Sequence, residues 1–171
     1  MINGIDFLKQ MYPNRDDKDY QPSGLDLRLG KVYEIEDEMP CGIVDGQKHV
    51  PHHIEIEPKK FHKYNCYGWR LELEVPYILE VDSQIKIGNS NAQFYLPRST
   101  LLRCGITLHT ALGDLGYNGH LSFLAINHRL EDFYISKGER FAQLIDFDVK
   151  GGSESYDGDY QEKEVIAYDR F

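Results

Sequence analysis

The 171-residue chain carries 28 acidic side chains against 19 lysines and arginines, a formal net charge of −9. That balance excludes a general nucleic-acid binder, which needs a basic stripe to displace counterions from a phosphate backbone, and the length suits one domain that can bury roughly 70% of its unfolded surface. No long apolar run and no apolar N-terminal stretch with a basic flank is present, so neither membrane insertion nor secretion is expected and the cytoplasm is the expected compartment.

In chain order, Ile5, Phe7, Leu8, Met11 and Tyr12 lie within Gly4 to Tyr12 and predict one short helix that ends before Pro13. Strands then dominate. Leu25 to Leu29, Lys31 to Glu36, His53 to Glu57, Leu71 to Val75 and Gln84 to Ile87 alternate apolar with polar residues, the period of a half-buried strand. Gly30, Gly42, Gly46, Pro51, Pro58, Gly68 and Gly88 separate them at short intervals, which predicts an all-β sandwich or barrel. Tyr95, Phe123, Ile126, Phe141, Leu144, Ile145 and Phe147 read as core or interface residues. Gly151 to Ser155 is the one flexible stretch, so residues 1–150 are expected to form the β domain and 151–171 a C-terminal segment able to act as a lid.

Chemistry concentrates in Leu96-Pro-Arg-Ser-Thr-Leu-Leu-Arg-Cys-Gly105 and Asp114-Leu-Gly-Tyr-Asn-Gly119. Arg98, Ser99 and Arg103 suit phosphate oxygens, because a guanidinium binds them through two parallel bonds and a hydroxyl donates without bulk. Leu101 and Leu102 fit a helical turn that sets Ser99 and Arg103 on one face at i and i+4. The glycines of the second segment suit a tight turn holding Asp114 and the Tyr117 ring at a pocket rim, where Asp114 can take a proton from an attacking water. For Arg98 a structural ion pair holding the loop is as good a reading as substrate contact.

These segments resemble the dUTPase and dCTP deaminase superfamily, and most closely its archaeal-type dUTPase branch. Gln21 to Gly30 is similar to the family's first motif, Gly138 to Ile145 to its fourth, and Tyr156-Asp-Gly-Asp-Tyr-Gln161 to the closing segment of deaminase-like members. Four motifs in family order, from Gln21 to Gln161, make the resemblance specific where each alone is weak. It implies a distorted jelly roll, a homotrimer with sites shared between subunits, and magnesium carried mostly on triphosphate oxygens and waters. It further implies that Asp114 contacts the deoxyribose 3′-hydroxyl and orients the water, that Tyr117 packs beneath the sugar, and that Ser99, Arg103 and Gln143 hold phosphates. Tyr156, Tyr160 and Gln161 are carried over as lid contacts, and Asp26 as a water-mediated support of the metal. Asp159 departs from the basic residue often found in that segment, which weakens direct phosphate contact by the tail.

One position separates the superfamily's two activities. The alignment of Asp114 to Asn127 puts Leu124 where the deaminases carry the glutamate that works on the cytosine amino group, and no other carboxylate lies between them. A leucine shuttles no proton, and the chain lacks the paired-cysteine and His-x-Glu signature of zinc deaminases. The expectation is hydrolysis of dUTP to dUMP and pyrophosphate. A dCTP deaminase or bifunctional enzyme is the alternative, and a catalytically weak, nucleotide-binding trimeric regulator the third reading.

Cys41, Cys66 and Cys104 have no spacing for a disulfide framework or zinc site. His49, His52, His53 and His62 read as solvated or turn histidines, whereas His109 and His120 flank the expected pocket. Glu34, Glu36, Asp37 and Glu38 read as a solvated strand end.

Overall fold

The N-terminal helix spans Ile5–Met11 and drives Leu8 fully into the core, with Phe7 and Met11 packed beside it. Its stop is local: Pro13 disfavours helical geometry at Tyr12, whose ψ has turned to 60°. Tyr12 then serves three neighbours. Its carbonyl accepts from the Tyr20 hydroxyl, its own hydroxyl donates to the Lys86 carbonyl at 3.2 Å, and that oxygen accepts from Gln93 at 2.6 Å. The computed structural model from which these contacts are taken describes residues 1–36, 41–151 and 154–162.

The remaining architecture is mostly β, in the curled form of a jelly roll, with one further short α-helix at Ser99–Arg103. Its main sheet runs in the spatial order Asn91–Pro97, Arg140–Asp148, Gly24–Ile35, Pro76–Val81, Ser122–Asn127, Ile106–His109, with antiparallel neighbours throughout. The strands expected separately at Leu25 to Leu29 and Lys31 to Glu36 are one strand, Gly24–Ile35. Its first half pairs with Arg140–Asp148, and after an irregularity at Gly30 its second half pairs with Pro76–Val81 and His53–Glu55. A Cβ at Gly30 would sit 2.6 Å from the Asp82 Cα, so only glycine lets the backbones approach at the place where the strand changes partner.

The strand expected at Leu71 to Val75 is not formed. Cys66–Leu71 is the strand, Glu72 to Val75 turns, and Pro76–Val81 begins the next. Glu74 adopts φ 57° and its N–H donates to the Asn127 carbonyl at 2.8 Å, so the alternation there reflects a tight reversal. Pro76 tolerates a strand start because the first residue can forgo an N–H donor.

A three-stranded sheet, Lys59–Phe61 with Cys66–Leu71 and Phe133–Ser136, and a hairpin, Gly42–Val44 with Gln47–His49, flank the main sheet. Buried Leu25, Leu27, Leu29, Leu79, Phe123, Phe141 and Leu144 form one contiguous core. Of the seven residues read as core or interface, Ile126, Ile145 and Phe147 are only half-buried. Asp37 and Glu38 lie outside the described residues, as do Gly152 and Ser153 of the stretch read as flexible.

Candidate active site

The Asp114 turn is held at both ends. Before it, Gly113 pairs with Gln93 in a two-bond antiparallel bridge, with Gln93 N–H donating to the Gly113 carbonyl at 2.9 Å and Gly113 N–H to the Gln93 carbonyl at 2.8 Å. After it, Asn118 and Gly119 pair with Lys86 and Ile85, and Ile87 N–H donates to the Tyr117 carbonyl at 2.8 Å. Between these anchors Gly116 takes φ +77°, which the reversal requires. Asp114 is exposed, and among the described residues no donor reaches its carboxylate.

Asp114 and Tyr117 line a cavity of about 470 Å³, with Tyr95, Phe123 and His120 on its walls and Tyr156 and Tyr160 from the tail at its mouth. The Tyr117 hydroxyl donates to the His120 carbonyl at 3.0 Å, which fixes the ring. Burial, reinforced by Tyr156 and Glu80, pushes the Tyr117 phenol up to about 12, so it stays neutral and a flat apolar face remains available beside the carboxylate. His120 Nδ1 lies 3.3 Å from the Val81 carbonyl; because a carbonyl only accepts, that nitrogen carries the proton.

The tail folds onto this same turn. Tyr156 N–H donates to the Leu115 carbonyl at 2.7 Å and its ring meets Tyr117 edge-on at 5.7 Å. The Gln161 side chain bridges the turn, donating to the Gly116 carbonyl at 3.1 Å and accepting from Asn118 N–H at 3.1 Å. The hairpin closes the other side: Val50 lines the cavity, and Lys48 Nζ sits 2.6 Å from the Asp159 carboxylate and 5.6 Å above the Tyr160 ring.

The remaining sequence candidates gather elsewhere. Ser99–Arg103 is the expected short helix, and it leaves Ser99 and Arg103 exposed. Gln143 is half-buried on Arg140–Asp148, opposite Leu96 and Asp26. None of the three lines the Asp114 cavity within one chain. Arg98 forms an ion pair with Asp26, whose Oδ2 also accepts from Arg140 at 3.1 Å and Gln21 at 3.2 Å. Arg98 and Arg140 border a second cavity of about 610 Å³.

Burial pushes the Asp26 carboxyl above its ordinary value, against the opposing pull of Arg98 and Arg140. This surrounding does not fit Asp26 as a support for a resident metal ion, since guanidiniums already answer the charge of a side chain only 2% exposed. Among the described residues no group of three or more His, Cys, Asp or Glu side chains is placed to hold a metal, and this includes the histidines between His49 and His62.

Leu124 occupies a strand on which Phe123 and Ala125 point inward and Leu124 does not; it is absent from the cavity wall. Two contributors escaped the sequence reading. Gln93 and Lys48 hold the turn and the tail; Gln93 shares its strand face with buried Asn91 and Tyr95, a pattern that does not by itself mark a site residue.

Comparisons with known proteins bear on the family and the fold. A family model described as dCTP deaminase-like matches residues 8–149. A probable deoxyuridine 5′-triphosphate nucleotidohydrolase of Methanopyrus kandleri is 37% identical over 94% of this chain and 99% of its own, and one of Methanothermobacter thermautotrophicus is 38% identical over 95% and 100%. A 2′-deoxycytidine 5′-triphosphate deaminase of Agrobacterium tumefaciens shares the fold at a TM-score of 0.65 and 18% identity, covering 85% of this chain, which spans about half of that one, 47%. No helix among the described residues is long and apolar enough to cross a membrane. With the family model spanning the whole sheet scaffold and relatives matching nearly end to end, the chain belongs to the dCTP deaminase-like family, the superfamily of the dUTPases and dCTP deaminases.

Proposed function

We propose that this protein is a dUTP diphosphatase, which hydrolyses dUTP to dUMP and pyrophosphate. The observation that carries the proposal is an Asp114 carboxylate with no donor on it among the described residues, lining a cavity of about 470 Å³ with the Tyr117 ring. The names of the relatives with 37% and 38% identity support the same substrate. A free carboxylate there can orient a water and take its proton as the water oxygen bonds to the α-phosphorus; the bond from that phosphorus to the bridging oxygen breaks and pyrophosphate leaves. Tyr117 would lie beneath the deoxyribose and crowd a ribose 2′-hydroxyl. A magnesium ion carried with the triphosphate would supply charge neutralisation as pyrophosphate departs.

Ser99, Arg103 and Gln143 complete the proposal only in an assembly. They lie apart from the cavity of their own chain, so a homotrimer is proposed in which a neighbouring copy brings them to the phosphates. Phe94, Leu96, Leu102 and Leu112 give the chain exposed apolar surface that such an assembly would cover. The tail from Tyr156 to Gln161 acts as the lid, keeping bulk water from the bound nucleotide.

The test is product analysis after incubation with magnesium and, separately, dUTP, dCTP, dTTP and UTP. Conversion of dUTP alone to dUMP is expected, and Asp114→Asn should lower turnover by several orders of magnitude while still binding dUMP. dUTP or dUMP formed from dCTP would restore the deaminase reading despite Leu124, and binding without turnover would favour a regulator.

A further inference from the structure

We infer that Gln93 is the positioning residue for Asp114; this rests on the hydrolase reading above. Gln93 is fully buried and uses every hydrogen-bonding group it has. Its main chain makes both bonds to Gly113, the residue before Asp114. Its Nε2 donates to Asp146 Oδ2 at 3.0 Å and to the Tyr12 hydroxyl at 2.6 Å, and its Oε1 accepts from the Tyr95 hydroxyl at 2.9 Å. The orientation follows from the partners: the Asp146 oxygens accept from the Asn3, Asn91 and Gln93 amides, so the NH₂ end faces Asp146 and the carbonyl end faces Tyr95.

That orientation has a chemical effect in the cavity. The single proton of the Tyr95 hydroxyl is committed to Gln93, so Tyr95, which lines the cavity with Asp114, has none left to donate to that carboxylate. Asp114 therefore keeps its lone pairs for substrate and water. The same hydroxyl is packed against Gly113, where a Cβ would lie 2.2 Å from it, so Gln93 holds the backbone of the turn directly and through the Tyr95 ring. Asp146 anchors the hub in turn, with Oδ1 accepting from Asn3 at 2.7 Å and from Asn91 at 2.8 Å. The N-terminal segment and the helix-ending Tyr12 are thereby tied to the position of the base.

The experiment compares wild type, Gln93→Leu and Gln93→Glu for dUTP hydrolysis across pH, with dUMP affinity and thermal unfolding measured on each. Gln93→Leu should lower kcat on the order of 100-fold with KM shifted less than about threefold. Gln93→Glu should be rescued at acid pH. A protonated glutamic acid there keeps the donation to Asp146 and the acceptance from Tyr95 and gives up only the second donation, to the Tyr12 hydroxyl; burial among Asp146, Tyr12 and Tyr95 disfavours its charged form and raises its pKa. Its activity should fall as pH rises through that value while Gln93→Leu stays low throughout. Variants that lose thermal stability but keep wild-type kcat, or a Gln93→Glu without acid rescue, would overturn the inference. Should the wild type itself fail to turn over dUTP, the hydrolase reading and this inference fall together; wild-type turnover with unchanged variants sinks the inference alone.

Discussion

Gly113 and Tyr95 show how much of the site depends on single atoms. An alanine at position 113 would place its Cβ 2.2 Å from the Tyr95 hydroxyl and 2.7 Å from Ile87 Cδ1; the Ile87 methyl can rotate away, but the hydroxyl sits on a rigid ring and is bonded to Gln93. Gly113→Ala should cost about 1–3 kcal/mol in chemical denaturation, as overpacking does. Adding Tyr95→Phe should recover part of that loss, a coupling expected of touching residues; strictly additive losses would mean the hydroxyl is not the obstacle. Asp114 and Tyr117 could be named from sequence because charge and glycine spacing are visible there. Gln93 could not, because a glutamine in an alternating strand reads the same whether it faces solvent or core. Asp26 shows the reverse limit: its motif was legible, but only the fold reveals two guanidiniums on it.

Among elements, the hairpin and the tail meet across the cavity mouth through Lys48 and Asp159, and the Asp159 carboxylate holds the Lys48 ammonium above its ordinary pKa. Both side chains are solvent-accessible, so the pair tunes closure and does not determine it. Lys48→Glu or Asp159→Lys alone should raise KM for dUTP about two- to fivefold, and the double exchange should restore it. Steady-state kinetics at low and high salt decide this, because a true ionic latch loses its effect as salt rises. Short strands bounded by glycine or proline were legible from the two-residue period. The segment Leu71 to Val75 was not, because alternation cannot distinguish a strand from a reversal whose Glu74 sits at φ 57°. The merging of two expected strands into Gly24–Ile35 was equally hidden, since the glycine that looks like a terminator is the bulge that lets pairing continue.

For the whole molecule, burial pushes the phenols of Tyr12 and Tyr117 up to about 12 from 10.0, and that of Tyr95 higher still. A raised folded pKa means the unfolded chain releases its protons first. The stabilising contribution is complete below pH 10.0 and drains away between there and about 12. Alkaline titration should therefore show the phenols of Tyr12, Tyr95 and Tyr117 ionising only as the sheet signal disappears; their ionisation with the sheet intact would contradict this. The jelly roll itself was readable from strand period and motif order, whereas the partition of candidate residues between two faces of one chain required the strand order. The double allegiance of Gly24–Ile35 also has a consequence for biosynthesis. Leu25 to Arg28 emerge from the ribosome more than a hundred residues before Arg140 to Leu144, with which they pair. The sheet cannot close early around a nascent chain: the second half of this strand can pair with His53–Glu55 and Pro76–Val81 soon after synthesis, but its first half lacks its long-range partner until Arg140 to Leu144 have emerged, and closure depends on that slow pairing.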